Sequence, residues 1–444
     1  DGATGESRNA RRRRRKRNEY PDPPRRVVIN ELVCEGCGDC SAASNCLSVE
    51  PLETEFGRKR AINQSSCNKD FSCVKGFCPS FVTVEGGQLR KGRGQAAKQE
   101  RTDPEIPKPP ALNAQALSEP CNILVTGIGG TGVITIGQIL AVAAHMEGKA
   151  ATVLDMSGLA QKFGPVMSHV RIGRSQGDLH AVRVGTGTAD LVLGCELVVT
   201  TGTEALAAMH ESRTRVLVNA DTSPTAEFTR NPDWKLPDST LQAEILGAVG
   251  REHAEFISAG RIATALLGDA IATNMFMLGY AFQKGWVPLS AESIGRAIVL
   301  NNVSVKLNQD AFDWGRRAAA DYAGVERLAL PAKVVSFVRP EGKSATPAGL
   351  EDIIAKRVEF LTGYQDAAYA DRYRQVIERV KARETALGNG KLPLTLAVAR
   401  NYFKLLAYKD EYEVARLYTQ GPFLQKIDSL FEGNYSLKFH LAPP

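Results

Sequence analysis

The feature that most constrains this chain is a cluster of cysteines near its N-terminal end. Seven of the nine cysteines in the 444 residues lie within residues 33–79. They are Cys34, Cys37, Cys40, Cys46, Cys67, Cys73 and Cys78. The first three are spaced three residues apart, and the last is followed by Pro79. Thiolates that converge in short loops are typical ligands of an iron–sulfur cluster, so we interpret residues 27–89 as a ferredoxin-like electron-transfer module.

The spacing predicts one complete cluster and a second site that lacks a thiol. In two-cluster bacterial ferredoxins the run is C-x2-C-x2-C-x3-C-P, and its fourth cysteine ligates the other cluster. Applied here, this rule gives one [4Fe–4S] cluster the ligands Cys34, Cys37, Cys40 and Cys78. The thiols left for a second cluster are Cys46, Cys67 and Cys73. Three options stay open for that site: an oxygen ligand such as Asp70, a three-iron cluster, or no cluster.

Two glycines and the absence of nearby histidines favour iron over zinc. Gly36 and Gly38 permit the positive φ angles that a loop needs to turn three sulfurs inward. Zinc is the alternative, but its sites favour paired C-x2-C elements or added histidines, and no histidine precedes His145. Clustered thiols in a chain without a secretory signal favour metal binding over disulfides and indicate a reducing, cytoplasmic compartment.

The net charge of +6 comes entirely from the first residues. Residues 1–26 hold 10 Lys or Arg and 4 Asp or Glu, and the rest of the chain is balanced. We interpret this arginine-rich segment as a disordered tail. No aromatic residue is interleaved with the arginines, so nucleic-acid binding is not favoured. No apolar run is long enough for a membrane helix, and the first and last residues suggest a piece of a longer chain.

A second motif follows a Pro- and Gly-rich linker at residues 90–120. A buried-type strand from Ile123 leads into a glycine loop, an apolar-striped helix (133–146) and a second strand that ends at Asp155. This order is the G-x-G-x-x-G fingerprint of dinucleotide binding. The candidate cofactor-binding residues are Gly127, Gly129, Gly130, Thr131 and Gly132. NAD, FAD and coenzyme A all carry a diphosphate, so the loop does not choose among them; a turn that only allows close packing is the alternative.

The remaining elements predict an α/β domain over 121–327 and a helical accessory domain over 328–444. Ser168 and Arg171 lie where ligands bind in open α/β sheets, so they are further candidates for contact with a cofactor; a turn followed by a core strand is the alternative. Predicted strands in the α/β domain are 169–172, 181–184, 197–200 and 216–219. Predicted helices are 203–211, 261–283, 291–299, 350–362, 366–382 and 394–406.

Together these motifs resemble the 2-oxoacid:ferredoxin oxidoreductase family. Residues 127–132, Gly158-Leu-Ala-Gln-Lys-Phe-Gly164 and Ser168-His-Val-Arg-Ile-Gly173 resemble its gamma domain, as do residues 274–279 and 308–315. The cysteine module, residues 407–418 and residues 439–444 resemble the long fused indolepyruvate ferredoxin oxidoreductases of bacteria. The resemblance spans roughly residues 27–444.

The resemblance implies an enzyme that oxidatively decarboxylates an aryl 2-oxoacid to its acyl-CoA, with coenzyme A as co-substrate and ferredoxin as electron acceptor. Thiamine diphosphate and Mg²⁺ are expected in upstream domains that this chain lacks. The chain would supply the electron outlet and the gamma domain, hold no catalytic residue of its own, and assemble as a homo-oligomer. The alternatives are an iron–sulfur NAD(P)- or flavin-dependent reductase that uses the glycine loop, and a non-catalytic electron-transfer subunit.

Overall fold

The computed structural model describes most of the chain. The described ranges are 14–15, 19–90, 106–110, 119–158, 164–221, 227–231, 233–330, 349–388 and 392–441. Most of the predicted tail, most of the predicted linker and residues 331–348 lie outside these ranges. Residues 159–163, within the motif at 158–164, and residues 442–444, within the motif at 439–444, also lie outside the described ranges.

The cysteine module is built on a small antiparallel sheet and a hairpin. Its elements are β1 (Arg25–Ile29), α1 (Asp39–Ser44), β2 (Val49–Thr54), β3 (Gly57–Ile62), a 3₁₀ turn (Ser72–Val74) and β4 (Phe81–Leu89). β1 pairs with β4, and β2 pairs with β3. Val27, Ile29 and Phe81 pack against Cys34, with four more cysteines around them. The core of this unit is therefore made partly of thiols.

The second region confirms the predicted mixed α/β class. Its strands are β5 (Cys121–Ile128), β6 (Ala150–Ser157), β7 (Pro165–Gly173), β8 (Leu191–Gly194), β9 (Arg215–Asn219) and β10 (Ala254–Ile257). The strand order is β10-β9-β8-β5-β7-β6, and the first four of these strands are parallel. β7 lies antiparallel between β5 and β6. The predicted strand–helix–strand unit is thus present, but its two strands are not neighbours.

Helices cover both faces of this sheet. They are α2 (Val133–Met146), α3 (Leu197–Thr200), α4 (Thr203–Ala208), α5 (Glu227–Arg230), α6 (Asp238–Val249), α7 (Ala259–Leu267), α8 (Thr273–Gln283), α9 (Ala291–Asn301), α10 (Val305–Ala320) and α11 (Tyr322–Ala329). Short 3₁₀ turns occur at residues 176–178, 251–253 and 270–272.

Three local predictions in this region are wrong. Residues 181–184 form no strand, and residues 197–200 form α3 instead. The carboxylate of Glu196 accepts a hydrogen bond from the N–H of Val199 and so caps that short helix, while the strand itself lies at Leu191–Gly194. The predicted helix 261–283 is interrupted, because Gly268 adopts a left-handed φ of 80° and Asp269 caps a new turn.

The most buried helix, α8, packs directly on α10. Every residue of α8 is buried, although the helix is only 11 residues long. A Cβ atom built on Gly279 would lie 2.0 Å from the carbonyl oxygen of Phe312, and one on Gly315 would lie 1.9 Å from that of Phe276. The two backbones are therefore in contact. Among the described helices, none combines the length and apolarity needed to cross a membrane.

The C-terminal region is helical except for its last element. The predicted helices are confirmed as α12 (Leu350–Tyr364), α13 (Ala367–Ala386) and α14 (Pro393–Leu406). Two short helices that were not predicted follow, α15 (Glu411–Thr419) and α16 (Phe423–Leu430). The chain then forms β11 (Phe431–Phe439), which pairs antiparallel with β4 of the cysteine module. The last strand of the described chain thus completes the sheet near its beginning.

The carboxylate of Glu147, at the end of α2, is hydrogen-bonded to the start of α9. The pH dependence of the free energy of unfolding tests this role. Partial burial alone would raise the pKa of Glu147, but hydrogen bonds from Lys149, Ser293 and Ser290 outweigh it and lower the pKa to about 2. A lowered carboxyl pKa gives stability that is present above the usual value of 4.5 and is lost as pH falls towards 2. Glu147→Gln is therefore expected to lower the free energy of unfolding by about 2 kcal/mol at pH 7, and by progressively less in acid.

Urea unfolding at several pH values measures this difference. Glu292→Gln, at an exposed carboxylate in the first turn of α9, is the matched control and is expected to change stability by less than about 0.5 kcal/mol. A Glu147→Gln effect of equal size at pH 7 and pH 3 would contradict the assignment.

Candidate functional site

The cysteine loop has the backbone that the sequence predicts. Gly36 and Gly38 adopt φ angles of 74° and 89°, and α1 begins directly after Gly38. A Cβ atom on Gly36 would lie 2.1 Å from the carbonyl oxygen of Arg58. Only glycine fits at this point, because both the positive φ and the neighbouring β3 backbone exclude a side chain. The glycines therefore hold the first cysteine loop against the hairpin.

Three of the four cysteines predicted for the first cluster lie near one another. Burial raises the pKa of Cys34, and burial together with the neighbouring Cys34 and Cys78 raises the pKa of Cys40 to about 11. Since these thiols affect one another's ionisation, they form one group. Cys37 lies between Cys34 and Cys40 in the chain and is exposed. We call the set of Cys34, Cys37, Cys40 and Cys78 the first cysteine group; its role as a ligand set stays a prediction.

The other three cysteines form a second group together with a carboxylate. Burial, together with the neighbouring Cys67, Cys46 and Asp70, raises the pKa of Cys73 to about 12. Burial also raises the pKa of Cys67, to which Cys46 and Asp70 contribute. We call Cys46, Cys67 and Cys73 the second cysteine group. Asp70, the candidate oxygen ligand for the second cluster, thus lies beside the second cysteine group.

The surroundings of the sulfurs fit an anionic iron–sulfur cluster. The N–H of Gly36 donates to the sulfur of Cys34 (3.3 Å), and the N–H of Lys69 donates to that of Cys67 (3.4 Å). The sulfur of Cys78 and the hydroxyl of Ser80 share a hydrogen bond of 3.0 Å in which either atom can be the donor. Donors to sulfur stabilise thiolates and tune cluster potentials. Within the described ranges, no three His, Cys, Asp or Glu side chains converge tightly enough to hold a single metal ion. The described thiols are therefore not arranged around one metal ion, and their role as cluster ligands stays a prediction.

A buried lysine beside the first cysteine group also fits an anion there. Lys59 is 5% exposed, and no carboxylate of the described residues forms an ion pair with it. Burial and the nearby Lys409 lower the pKa of Lys59 to about 8, against the opposing effect of Glu35 and Cys34. Buried lysines are rare unless they are paired. A cluster held by thiolates would supply the missing negative charge.

The glycine loop is shaped as an anion-binding turn at the carboxyl edge of the sheet. Gly130 and Gly132 adopt φ angles of 88° and 97°, and α2 begins at Val133. The N–H of Gly129 is bonded to the carbonyl of Gly164 (2.8 Å). Among the described residues, the N–H groups of Gly130 and Gly132 have no partner. These N–H groups and the start of α2 are therefore available to a diphosphate. Gly127 instead packs against Val133 and Cys195.

Neither Ser168 nor Arg171 reaches this loop. Ser168 is fully buried beneath Gly137 of α2, and its hydroxyl has no hydrogen-bond partner among the described residues. Arg171 pairs in register with Asn122, at the opposite end of β5 and roughly 15 Å from the loop. Its guanidinium donates to Asn122 (2.8 Å) and to the carbonyl of Ala181 (2.7 Å). Both residues therefore lie away from the glycine loop, and their contact with a cofactor stays a prediction.

Asp155 does not complete the dinucleotide fingerprint either. In that motif the acidic residue lies on the strand next to the glycine loop. Here β7 intervenes, and Asp155 lies opposite Ser168 on the far side of β7 from β5. This arrangement gives the loop no carboxylate at the position that binds a ribose in nicotinamide enzymes.

One short segment lies between the glycine loop and the second cysteine group. The amide of Asn274 donates to the carbonyl of Thr131 (3.0 Å), and the side chain of Ile271 lies against Gly132. On its other side, the N–H of Ala270 donates to the hydroxyl of Ser65 (3.2 Å), two residues before Cys67. The segment 269–274 therefore contacts the glycine loop directly and reaches the second cysteine group through Ser65.

Two carboxylates at the same edge of the sheet were missed by the sequence analysis. Glu196 is 4% exposed, burial raises its pKa, and one of its oxygens has no hydrogen-bond partner among the described residues. Asp221 accepts a hydrogen bond from the N–H of Arg261 (2.7 Å), and burial raises its pKa. Both residues follow parallel strands, β8 and β9. Correct placement of β8 would have indicated Glu196, since ligands bind at the carboxyl ends of such strands.

Comparisons with known proteins match both the α/β region and the C-terminal region to family models. Residues 122–318 match the family model described as pyruvate ferredoxin/flavodoxin oxidoreductase, and residues 350–444 match a family of unknown function. The indolepyruvate oxidoreductase subunit IorB of Pyrococcus horikoshii is 32% identical over 45% of this chain and 96% of that protein. The IorB subunit of Methanothermobacter thermautotrophicus is 32% identical over 45% of this chain and 98% of its own length.

A pyruvate oxidoreductase subunit from Thermotoga maritima, known from its crystal structure, is 22% identical and has a TM-score of 0.32, over 45% of this chain and 97% of its own. The sequence relatives decide the family. Because this chain covers nearly the whole length of relatives at 32% identity, it belongs to the pyruvate ferredoxin/flavodoxin oxidoreductase family, as an IorB-type subunit of a 2-oxoacid:ferredoxin oxidoreductase.

Proposed function

We propose that this chain is the electron-relay and gamma-domain portion of an indolepyruvate-type oxidoreductase. The complete enzyme would convert a 2-oxoacid and coenzyme A into acyl-CoA and CO₂, and would pass two electrons, one at a time, to ferredoxin. Thiamine diphosphate with Mg²⁺, bound in partner domains, would supply the carbanion chemistry. The observation that carries the proposal is the segment 269–274, which contacts the glycine loop on one side and donates to Ser65, two residues before Cys67, on the other.

This chain's own residues would then hold the redox groups and one substrate. The first cysteine group would hold one [4Fe–4S] cluster, and the second group with Asp70 would hold another. The N–H groups of Gly130 and Gly132 would bind the diphosphate of coenzyme A or contact the thiamine-binding partner. Free, clustered thiols support a cytoplasmic location. We expect a homo-oligomer of the complete enzyme, with ferredoxin as its electron acceptor.

Anaerobic assay of the chain with its thiamine-binding partner tests this function. With indolepyruvate and coenzyme A present, ferredoxin is expected to be reduced and an acyl-CoA to be detected by mass spectrometry, only when both chains are present. The competing hypothesis is a reductase that uses NAD(P)H or a flavin at the glycine loop. Reduction of the clusters by NADH or NADPH in this chain alone would contradict our proposal and support that one.

Lys59 offers a test of cluster placement that does not depend on turnover. Lys59→Met is expected to lower the reduction potential of the first cluster by roughly 60 mV, because loss of a nearby positive charge disfavours the added electron. A redox titration followed by electron paramagnetic resonance at pH 7 measures this shift. Lys356→Met, at an exposed lysine paired with Glu55, is the control. Equal potentials in wild type and Lys59→Met would place the cluster elsewhere.

A further inference from the structure

A groove outside both candidate sites is lined by positive charge. It lies between the β2–β3 hairpin of the cysteine module and helices α12 and α14 of the C-terminal region, and Lys235 of the α/β region joins its wall. The cationic residues that line it are Lys235, Lys356, Arg357, Arg400 and Lys404. Three parts of the chain thus contribute to one groove.

The acidic residues of the groove do not neutralise these cations. Among the described acidic residues only Glu53 and Glu55 line it, and each already has a partner. Glu53 pairs with Arg58 at 2.5 Å, and Glu55 pairs with Lys356. Within the described residues, the other four cations of the groove form no ion pair with a carboxylate. The groove therefore carries an excess of positive charge that the described protein does not balance.

One of the unpaired cations is buried. Arg357 is 4% exposed, and its Nε has no hydrogen-bond partner among the described residues. Its other nitrogens donate to the carbonyls of Ile353 and Glu55, both at 3.2 Å. Its guanidinium lies 5.8 Å from the ring of Phe56 and 5.3 Å from that of Phe403. Carbonyls and rings hold the arginine in place. The charge of Glu55 also acts on it, but Glu55 is already paired with Lys356, so the buried charge of Arg357 is only partly compensated, which is unfavourable.

The position of Arg357 decides what kind of anion fits. A carboxylate on the flat surface of a partner protein would contact the exposed Arg400 and Lys404 but not Arg357, which is almost fully buried. A small molecule can enter the groove and meet all three. Guanidinium groups recognise phosphoryl oxygens through charge-assisted hydrogen bonds, and several cations in one groove match a ligand with several negative charges.

We propose that this groove binds a small molecule carrying two or more phosphoryl groups, with Arg357 buried at the site and Arg400 and Lys404 at its open side. Such a ligand would contact the cysteine module and the C-terminal helices together. Its binding would therefore hold the hairpin of the cysteine module against a region whose own family has no known function.

Calorimetric titration with pyrophosphate, at ionic strength matched with sodium chloride, tests the site in the anaerobically purified chain. One saturable site is expected, and the double variant Arg400→Gln/Lys404→Gln is expected to weaken binding at least tenfold. Arg374→Gln/Lys381→Gln on α13 removes the same charge from one exposed and one half-buried position, neither of which lines the groove. This control is expected to bind as the wild type does. Both pairs of changes are on the surface, so both variants should fold.

Each outcome supports or overturns the inference. Tighter binding of ADP than of pyrophosphate would identify a nucleotide, and equal binding would identify a ligand recognised through its phosphates alone; both support the site. Equal weakening in the two double variants would reduce the effect to general electrostatics and overturn it. Citrate bound as tightly as pyrophosphate would also overturn it, because a phosphoryl group would not be required. Since binding is measured without turnover, these results do not depend on the proposed oxidoreductase activity.

Discussion

Replacing Cys67 with serine is expected to lower the iron content of the anaerobically reconstituted chain from about eight atoms to about four. Cys67 belongs to the second cysteine group, whose members influence one another's ionisation, while the first group has its own four thiols. Loss of one thiol from a site that already lacks one should abolish that cluster and leave the other. Iron analysis and the visible absorption of the protein measure the change.

Cys121→Ser is the matched control, since Cys121 lies at the start of β5, outside both groups, and its loss should leave the iron content unchanged. A wild-type content near four that Cys67→Ser leaves unchanged would show that the second group holds no cluster. Asp70→Ala then separates the remaining options. A loss of iron in this variant identifies an oxygen ligand, and no loss favours a three-iron cluster held by the cysteines alone.

Gly315→Ala is expected to lower the free energy of unfolding by about 3 kcal/mol or more. The added methyl group would lie 1.9 Å from the carbonyl oxygen of Phe276, and backbone atoms of α8 cannot move away as a flexible side chain can. The two helices must therefore separate. When the contact between α8 and α10 is lost, the packing of Phe276 and Phe312 in the main core is lost too.

Gly295→Ala is the control for the intrinsic effect of alanine in a helix. Gly295 lies in α9, and a Cβ atom there would meet nothing within 4 Å. This change is expected to stabilise the chain by about 0.5–1 kcal/mol. Urea unfolding of both variants measures the pair. Similar stabilities would contradict the direct backbone contact between α8 and α10.

The sequence predicts the local features of this protein better than it predicts which strands pair with one another. The positive φ angles of Gly36 and Gly38 follow from local residue types, whereas the division of the cysteines into two ligand sets stays a prediction. The glycine loop and the start of α2 follow equally from local residue types. The Leu-Val-Val-Thr run at 197–200 predicts a strand because β-branched residues favour strands. It forms a helix instead, because Glu196 caps it and the strand lies just before it.

The failures at the candidate site have a different physical origin. Nothing within residues 165–173 indicates that this strand lies between β5 and β6, since strand order depends on contacts across the whole sheet. That insertion places Asp155 away from the glycine loop and Arg171 beside Asn122. Similarly, β11 contains Gly433 and a register shift between Glu432 and Tyr435, so its short alternation did not predict a strand.

The pairing of β11 with β4 has a consequence for how a newly made chain matures. About 340 residues separate the end of β4 from the start of β11, and a ribosome needs on the order of tens of seconds to add them. Throughout that time one edge of β4 lacks its partner and can pair with other chains. Val82, Val84 and Phe431 share one core, so the fold around the cysteines closes only after β11 has been synthesised. Iron delivery is therefore expected to follow the synthesis of β11 rather than that of the cysteine loops.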